Sequence, residues 1–131
     1  MSTPTKATHI SDLEHELNHT LMKGDFTKAF DRFYADNVVM QENDGNPFAG
    51  KDVNRKREEE FLKTVEQFHG AKLLSEAING DVTFSEWEYD ITVKGRGRAK
   101  MNEVAVRHWK NGQVARERFY YNPMVLMPPR T

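Results

Sequence analysis

Apolar residues recur first at helical and then at strand spacing, and the change falls near residue 71. Ile10, Leu13, Leu17 and Leu21 stand three or four apart and predict one face of a helix running to Gly24. Ser11 and Glu14 have the form of a capping box, with Ser11 as N-cap and Glu14 reaching back to it. Gly24 suits a left-handed helix end, and Asp25 can cap the next helix. That helix carries the wide stripe Phe26, Ala29, Phe30, Phe33 and Tyr34. Val38-Val39-Met40 predicts a strand over 37–42, and Asn43-Asp44-Gly45-Asn46-Pro47 is turn chemistry. A third helix is predicted over 52–68. Val53, Phe61, Leu62, Val65 and Phe68 would face inward, and the run Arg55-Lys56-Arg57-Glu58-Glu59-Glu60 would form a solvated outer face.

Beyond residue 71 the period is two. Asn79-Gly80 and Asn111-Gly112 are two-residue hairpin signals and Gly95-Arg96-Gly97 is a third turn, so strands are predicted over 71–78, 82–94, 98–109 and 113–121. Consecutive hairpins make an antiparallel meander, and strands this long twist and coil. The order α-α-β-α-β-β-β-β thus predicts an α+β fold with helices on one face of a curved antiparallel sheet. Residues 1–9 read as a flexible arm, 10–122 as one domain and 123–131 as a tail. Met124-Val125-Leu126-Met127 in that tail can cover an apolar opening or a subunit contact.

Composition narrows the function classes. The 131 residues are 30% charged, with 19 basic against 20 acidic residues, so no global field recruits nucleic acid or an anionic membrane. There is no cysteine, which excludes disulfides, thiolate catalysis and cysteine-bound metal. No apolar run is long enough to span a bilayer, and the start lacks the apolar core of a secretory signal. A soluble, cytoplasmic domain is expected.

His15-Glu16-Leu17-Asn18-His19 matches the zinc-protease pattern H-E-x-x-H. Context argues against a metal site. Only fourteen residues precede His15, too few for a substrate-binding strand before the helix, and Leu17 belongs to the buried stripe.

Strand alternation indicates which polar groups face inward. In 113–121, Ala115, Glu117, Phe119 and Tyr121 share one face, while Val114, Arg116, Arg118 and Tyr120 share the other. A carboxylate among apolar neighbours must be paired or carry a proton, so Glu117 is either an ion-pair partner of Arg107 or a pocket acid. In 82–94, Trp87, Tyr89, Ile91 and Val93 point inward against Glu86, Glu88 and Asp90. In 98–109, Val104 and Val106 favour the inner face and would carry Asn102 and His108 with them, leaving Glu103, Ala105 and Arg107 on the other; a bulge would exchange the two.

Gly24-Asp25, Phe33-Tyr34-Ala35-Asp36-Asn37-Val38-Val39, Gly50-Lys51 and Trp109-Lys110-Asn111-Gly112-Gln113-Val114, in this order of elements, resemble the SnoaL-like group of the nuclear-transport-factor-2-like superfamily. The resemblance covers about residues 10–122. It implies a cone: a strongly bent sheet on three helices, an apolar cavity at the open end, and a homodimer formed through the outer sheet face. Relatives include cyclases, isomerases, dehydratases, epoxide hydrolases and non-catalytic binders, so the fold alone does not choose an activity. Counting on from Tyr34-Ala35-Asp36 to the proton-abstracting aspartate of ketosteroid isomerases reaches Glu42. Their oxyanion donors fall on Leu17 and on Val104 or Ala105, none of which can donate. The resemblance therefore implies an acid–base enzyme without metal or organic cofactor, acting on a small apolar carbonyl or polyketide-like molecule. Glu42 would be the base and Glu117 the acid or orienter; Trp87, Tyr89 and Tyr121 would be walls, and Asn102 or His108 would polarise a carbonyl. The alternative is a non-catalytic binding or dimerisation module with the same pocket.

Overall fold

The computed structural model describes residues 9–128. Helices α1 (Ile10–Met22) and α2 (Phe26–Phe33) lead into strand β1 (Tyr34–Glu42), the two-residue strand β2 (Phe48–Ala49) and helix α3 (Lys51–Thr64). Four long strands follow, β3 (Val65–Asn79), β4 (Val82–Val93), β5 (Gly97–Lys110) and β6 (Gln113–Tyr121), and then a 3-10 turn, Pro123–Leu126. Residues 1–8 of the expected arm and 129–131 of the expected tail lie outside the described residues. No helix is long and apolar enough to cross a membrane among the described residues.

The stripe on α1 buries Leu17 and Leu21 as its spacing predicts, but the capping box does not form. His9 is the N-cap, without a side-chain bond, and Ser11 is exposed. Glu14 shares its helix face with Leu17 and Leu21, and it turns into the interior, where stronger partners than a backbone amide await it. Gly24 ends the helix at φ +82°, with its amide donating to Leu21 O at 2.9 Å. A Cβ there would press on the Phe68 ring at 3.3 Å. Asp25 occupies the N-cap of α2, although its side chain makes no capping bond.

Helix α3 is shorter than its apolar spacing suggested. Val65 pairs with Val93 and opens β3, so Val65 and Phe68 belong to a strand. Val53 and Phe61 remain exposed, and the helix is seated by Asn54, whose side-chain amide donates to Phe48 O at 2.9 Å and Gly50 O at 2.8 Å.

The sheet order is β2-β1-β6-β5-β4-β3. The meander from β3 to β6 is antiparallel as expected, while β1 runs parallel to β6, which makes the curled sheet mixed. Direction of pairing is set by which edge the meander leaves open, and no local pattern in β1 encodes it. Register shifts along β3 at Val65/Gln67, Phe68/Gly70 and Leu73/Ser75 add bend and twist, wrapping the sheet around α1 and α2. Leu17, Phe30, Phe33, Val38, Trp87 and Val114 fill the space between. Burying each such side chain stabilises the fold by about 1.5–3 kcal/mol. Val114 is in this core and not on the outer face, because a bulge places His108 opposite Arg116 but Trp109 opposite Val114.

Candidate functional site

Between α3 and the concave side of the sheet lies a cavity of about 690 Å³. Its walls are apolar, with Leu21, Met40, Phe61, Phe68, Ile91 and Phe119 facing it. The tail contributes Leu126, held there by Arg96 Nε donating to Val125 O at 2.9 Å, while Met124 and Met127 are exposed. Five glutamates, Glu42, Glu58, Glu66, Glu103 and Glu117, also line it, with Asp25, Lys28, Arg57 and Arg107.

Glu117, from β6, is 0% exposed and sits at the inner end. Its Oε2 accepts from Tyr34 Oη and from Arg107 Nε, both at 2.6 Å, and its Oε1 is buried without a partner. Arg107 is equally buried and donates from Nη1 to Glu14 Oε2 at 2.8 Å and Asn18 Oδ1 at 2.9 Å. Glu14 also accepts from Thr83 Oγ1 at 2.7 Å and from Ser85 Oγ, so one carboxylate of α1 is tied to both β4 and β5. One cation thus serves two carboxylates. Burial raises the Glu117 carboxyl above its usual range, against the lowering effect of Arg107 and the Tyr34 hydroxyl. Burial, reinforced by the charge of Glu117, also holds the Tyr34 phenol well above its ordinary value, so it remains a donor.

Glu42 ends β1 at the more open side, its side chain 44% exposed. Arg57 Nη2 reaches it at 2.8 Å, and the Tyr121 hydroxyl donates to its Oε1. Each partner is itself fixed. Arg57 Nη1 bonds Asn54 Oδ1 at 3.1 Å, one helical turn back, and its guanidinium lies 3.9 Å from the Phe48 ring centre. Asn43 adopts φ 50° and takes the Tyr121 amide on its side-chain oxygen at 2.9 Å, clamping the end of β1 to β6.

Glu103 and Glu58 are different. Neither has an ion-pair or hydrogen-bond partner among the described residues. Burial, with the charges of Glu117 and, less, Glu42, pushes Glu103 up to about 8 against the pull of Arg107. Burial and Glu117 push Glu58 to about 7, against Arg55. Near neutral pH the cavity therefore holds an ion-paired carboxylate, Glu42, beside a carboxyl that keeps its proton, Glu103.

Of the residues singled out from the sequence, Glu42, Glu117, Tyr89 and Tyr121 come together around this cavity. Trp87 does not line it. It is 0% exposed in the core behind Tyr89, whose ring stacks on it with centres 5.4 Å apart. Asn102 and His108 lie on the convex face, exposed, and are corrected here: β5 turns Met101, Glu103, Ala105, Arg107 and Trp109 inward. Val104 and Val106 are only half-buried on the outside, so their apolarity misassigned the face. Glu103 lies one position from Val104, where the oxyanion aspartic acid was aligned, and unlike Val104 it lines the cavity. Glu58 and Arg57 belong to the run expected to be wholly solvated; Lys56, Glu59 and Glu60 are exposed as expected. In the H-E-x-x-H segment, His15 faces Glu76 at 3.4 Å, Glu16 pairs with Arg32 at 2.6 Å and His19 is exposed. No group of three or more metal-ligating side chains is assembled among the described residues.

Residues 6–121 match the family described as SnoaL-like domain. A Mesorhizobium loti protein described as a SnoaL-like polyketide cyclase is 27% identical and superimposes with a TM-score of 0.79, over 87% of this chain and 100% of its own. A Bacillus subtilis protein described as an isomerase is 14% identical with a TM-score of 0.74, over 95% of this chain and 92% of its own. An LEH-like epoxide hydrolase of M. tuberculosis is 17% identical with a TM-score of 0.67, over 93% and 86%. At such identities the last two share the fold alone. No curated protein matches the chain.

Proposed function

The chain belongs to the SnoaL-like family, and from that premise we propose that it is an acid–base enzyme of the isomerase, cyclase or dehydratase type, acting on a small apolar carbonyl compound. The observation that carries this reading is the coexistence, in one largely apolar cavity, of two carboxyl groups in opposite states. Glu42 is oriented by Arg57 and Tyr121 and is placed to take a proton from carbon. Glu103, kept neutral by burial, is an O–H donor for the carbonyl oxygen on which negative charge develops. Environments that drive two acids apart assign one as base and one as acid. Glu117 acts through position: its bonds to Arg107 and Tyr34 fix the floor and supply a negative potential that helps Glu103 keep its proton.

The test is α-hydrogen exchange of β-tetralone in deuterium oxide, followed by proton NMR. Exchange faster than in buffer is expected, with Glu42→Gln losing about 10²–10⁴ of the acceleration. Exchange at the buffer rate, with β-tetralone still shifting the resonances of Phe119 and Tyr121, would make this a binding module.

A further inference from the structure

The cavity's arginines are engaged, exposed Lys28 of α2 also lines it, and some of its carboxyls have no partner among the described residues. Arg107 is shared between Glu14 and Glu117, Arg57 is held by Glu42 and Asn54, and Arg55 beside them on α3 pairs with Asp31. Glu58 remains, on α3, facing the inner end of the cavity with no cation of its own among the described residues. Opposite it is Glu117, whose Oε1 is buried with no partner. A carboxylate oxygen left bare in a dry site is a lost hydrogen bond costly enough to demand an explanation. Glu117 itself is among the residues lining a cavity of about 690 Å³, sized for a molecule. Tyr34 and Tyr89 line the same end, and both phenols sense the charges of Glu58 and Glu117. Negative charge, an unused acceptor and aromatic rings together are the surroundings that receive an organic ammonium.

We propose that the substrate is an apolar carbonyl compound carrying a basic nitrogen, whose ammonium sits between Glu58 and Oε1 of Glu117 at the inner end of the cavity. This rests on the reading of the cavity as the substrate site, and it leaves Glu103 to the carbonyl and Glu42 to the proton on carbon. A ligand anion in the same place would meet two carboxyls and be rejected. An ammonium also makes binding pH-dependent. Glu58, which holds its proton to about 7, must lose it to the solvent in order to pair with the bound cation. Around it stand Tyr34 of β1, Arg55 and Glu59 of its own helix, and Asp31 of α2. Across the cavity stand Tyr89 of β4, Glu103 and Arg107 of β5 and Glu117 of β6. Glu58 titrates at about 7 and Glu103 at about 8.

The experiment is calorimetry of the whole protein with benzyltrimethylammonium, a permanent cation, beside β-tetralone as neutral probe and phenylacetate as anion. The cation is expected to bind roughly thirtyfold tighter at about pH 8.5 than at about pH 5.5, because a ligand that requires one deprotonated group gains tenfold per pH unit below that group's pKa. Proton release should appear as a binding heat that changes with the ionisation heat of the buffer. Glu58→Gln should flatten the rise in cation affinity between about pH 5.5 and about 7, where Glu58 titrates and Glu103 still keeps its proton; a rise unchanged in the variant would overturn the role given to Glu58. If β-tetralone binds and the cation binds no better than phenylacetate, the charge inference is overturned and the enzyme reading stands. If neither neutral nor cationic probe binds, both fall.

Discussion

Replacing Glu103 by glutamine removes the ionisation of a carboxyl that the fold holds neutral, and the consequence can be followed as stability against pH. Unfolded, this carboxyl titrates near 4.5; folded, it titrates near 8. Below about 4.5 the proton is bound in both states, and the group contributes nothing to pH dependence. Between the two values the unfolded chain has lost a proton that the folded protein keeps. Unfolding then becomes more favourable by about 1.4 kcal/mol for each pH unit, and the group's contribution falls by on the order of 4 kcal/mol by about pH 8. Glutamine has nearly the same shape and no proton to lose. The gap between Glu103→Gln and the natural protein should therefore be small at about pH 4.5 and widen steadily to about pH 8 in favour of the variant. Urea unfolding followed by tryptophan fluorescence measures it, since Trp87 and Trp109 are both buried. Titrating groups far from Glu103 cancel in the difference. A gap that stays constant across this range would refute the assignment of Glu103 as a buried neutral acid, and with it the donor on which the proposed chemistry relies.

Arg107→Met leaves Glu14 and Glu117 buried beside each other without their shared cation, so a loss of about 3–5 kcal/mol is expected in the same unfolding assay. Gly24→Ala forces an L side chain into φ +82° against the Phe68 ring, which should cost about 1–2 kcal/mol and leave the pH profile unchanged.

The fold was legible where short-range chemistry decides it. The two Asn-Gly turns, the apolar steps on α1 and the alternation in β4 depend on neighbours along the chain, and each appears where its spacing puts it. The pairing of Glu117 with Arg107 was legible too, since a charge among apolar residues needs a partner. The rest depended on contacts distant in sequence. Glu14 stands three residues after Ser11 and looks like a capping residue until Thr83, Ser85 and Arg107 arrive from two strands. Glu103 was hidden by two valines that a half-buried convex face tolerates. Glu58 was hidden in a charged run whose helix turns only part of itself to water. Trp87 was read correctly as inward, but inward meant core, because Tyr89 stands between it and the cavity.

The parallel pairing of β1 with β6 has a consequence for how the protein comes into being. Glu42 and Tyr121, which hold each other at the cavity's edge, are 79 positions apart, so joining β1 to β6 means closing most of the chain into a loop. Such distant contacts are slow to form. A nascent chain on the ribosome can complete its helices and first hairpins while the future pocket remains an open trough, its greasy floor exposed to any chaperone nearby. Only when the last long strand emerges does the trough acquire its second wall, and the carboxyls and the hollow they share come together in a single late step.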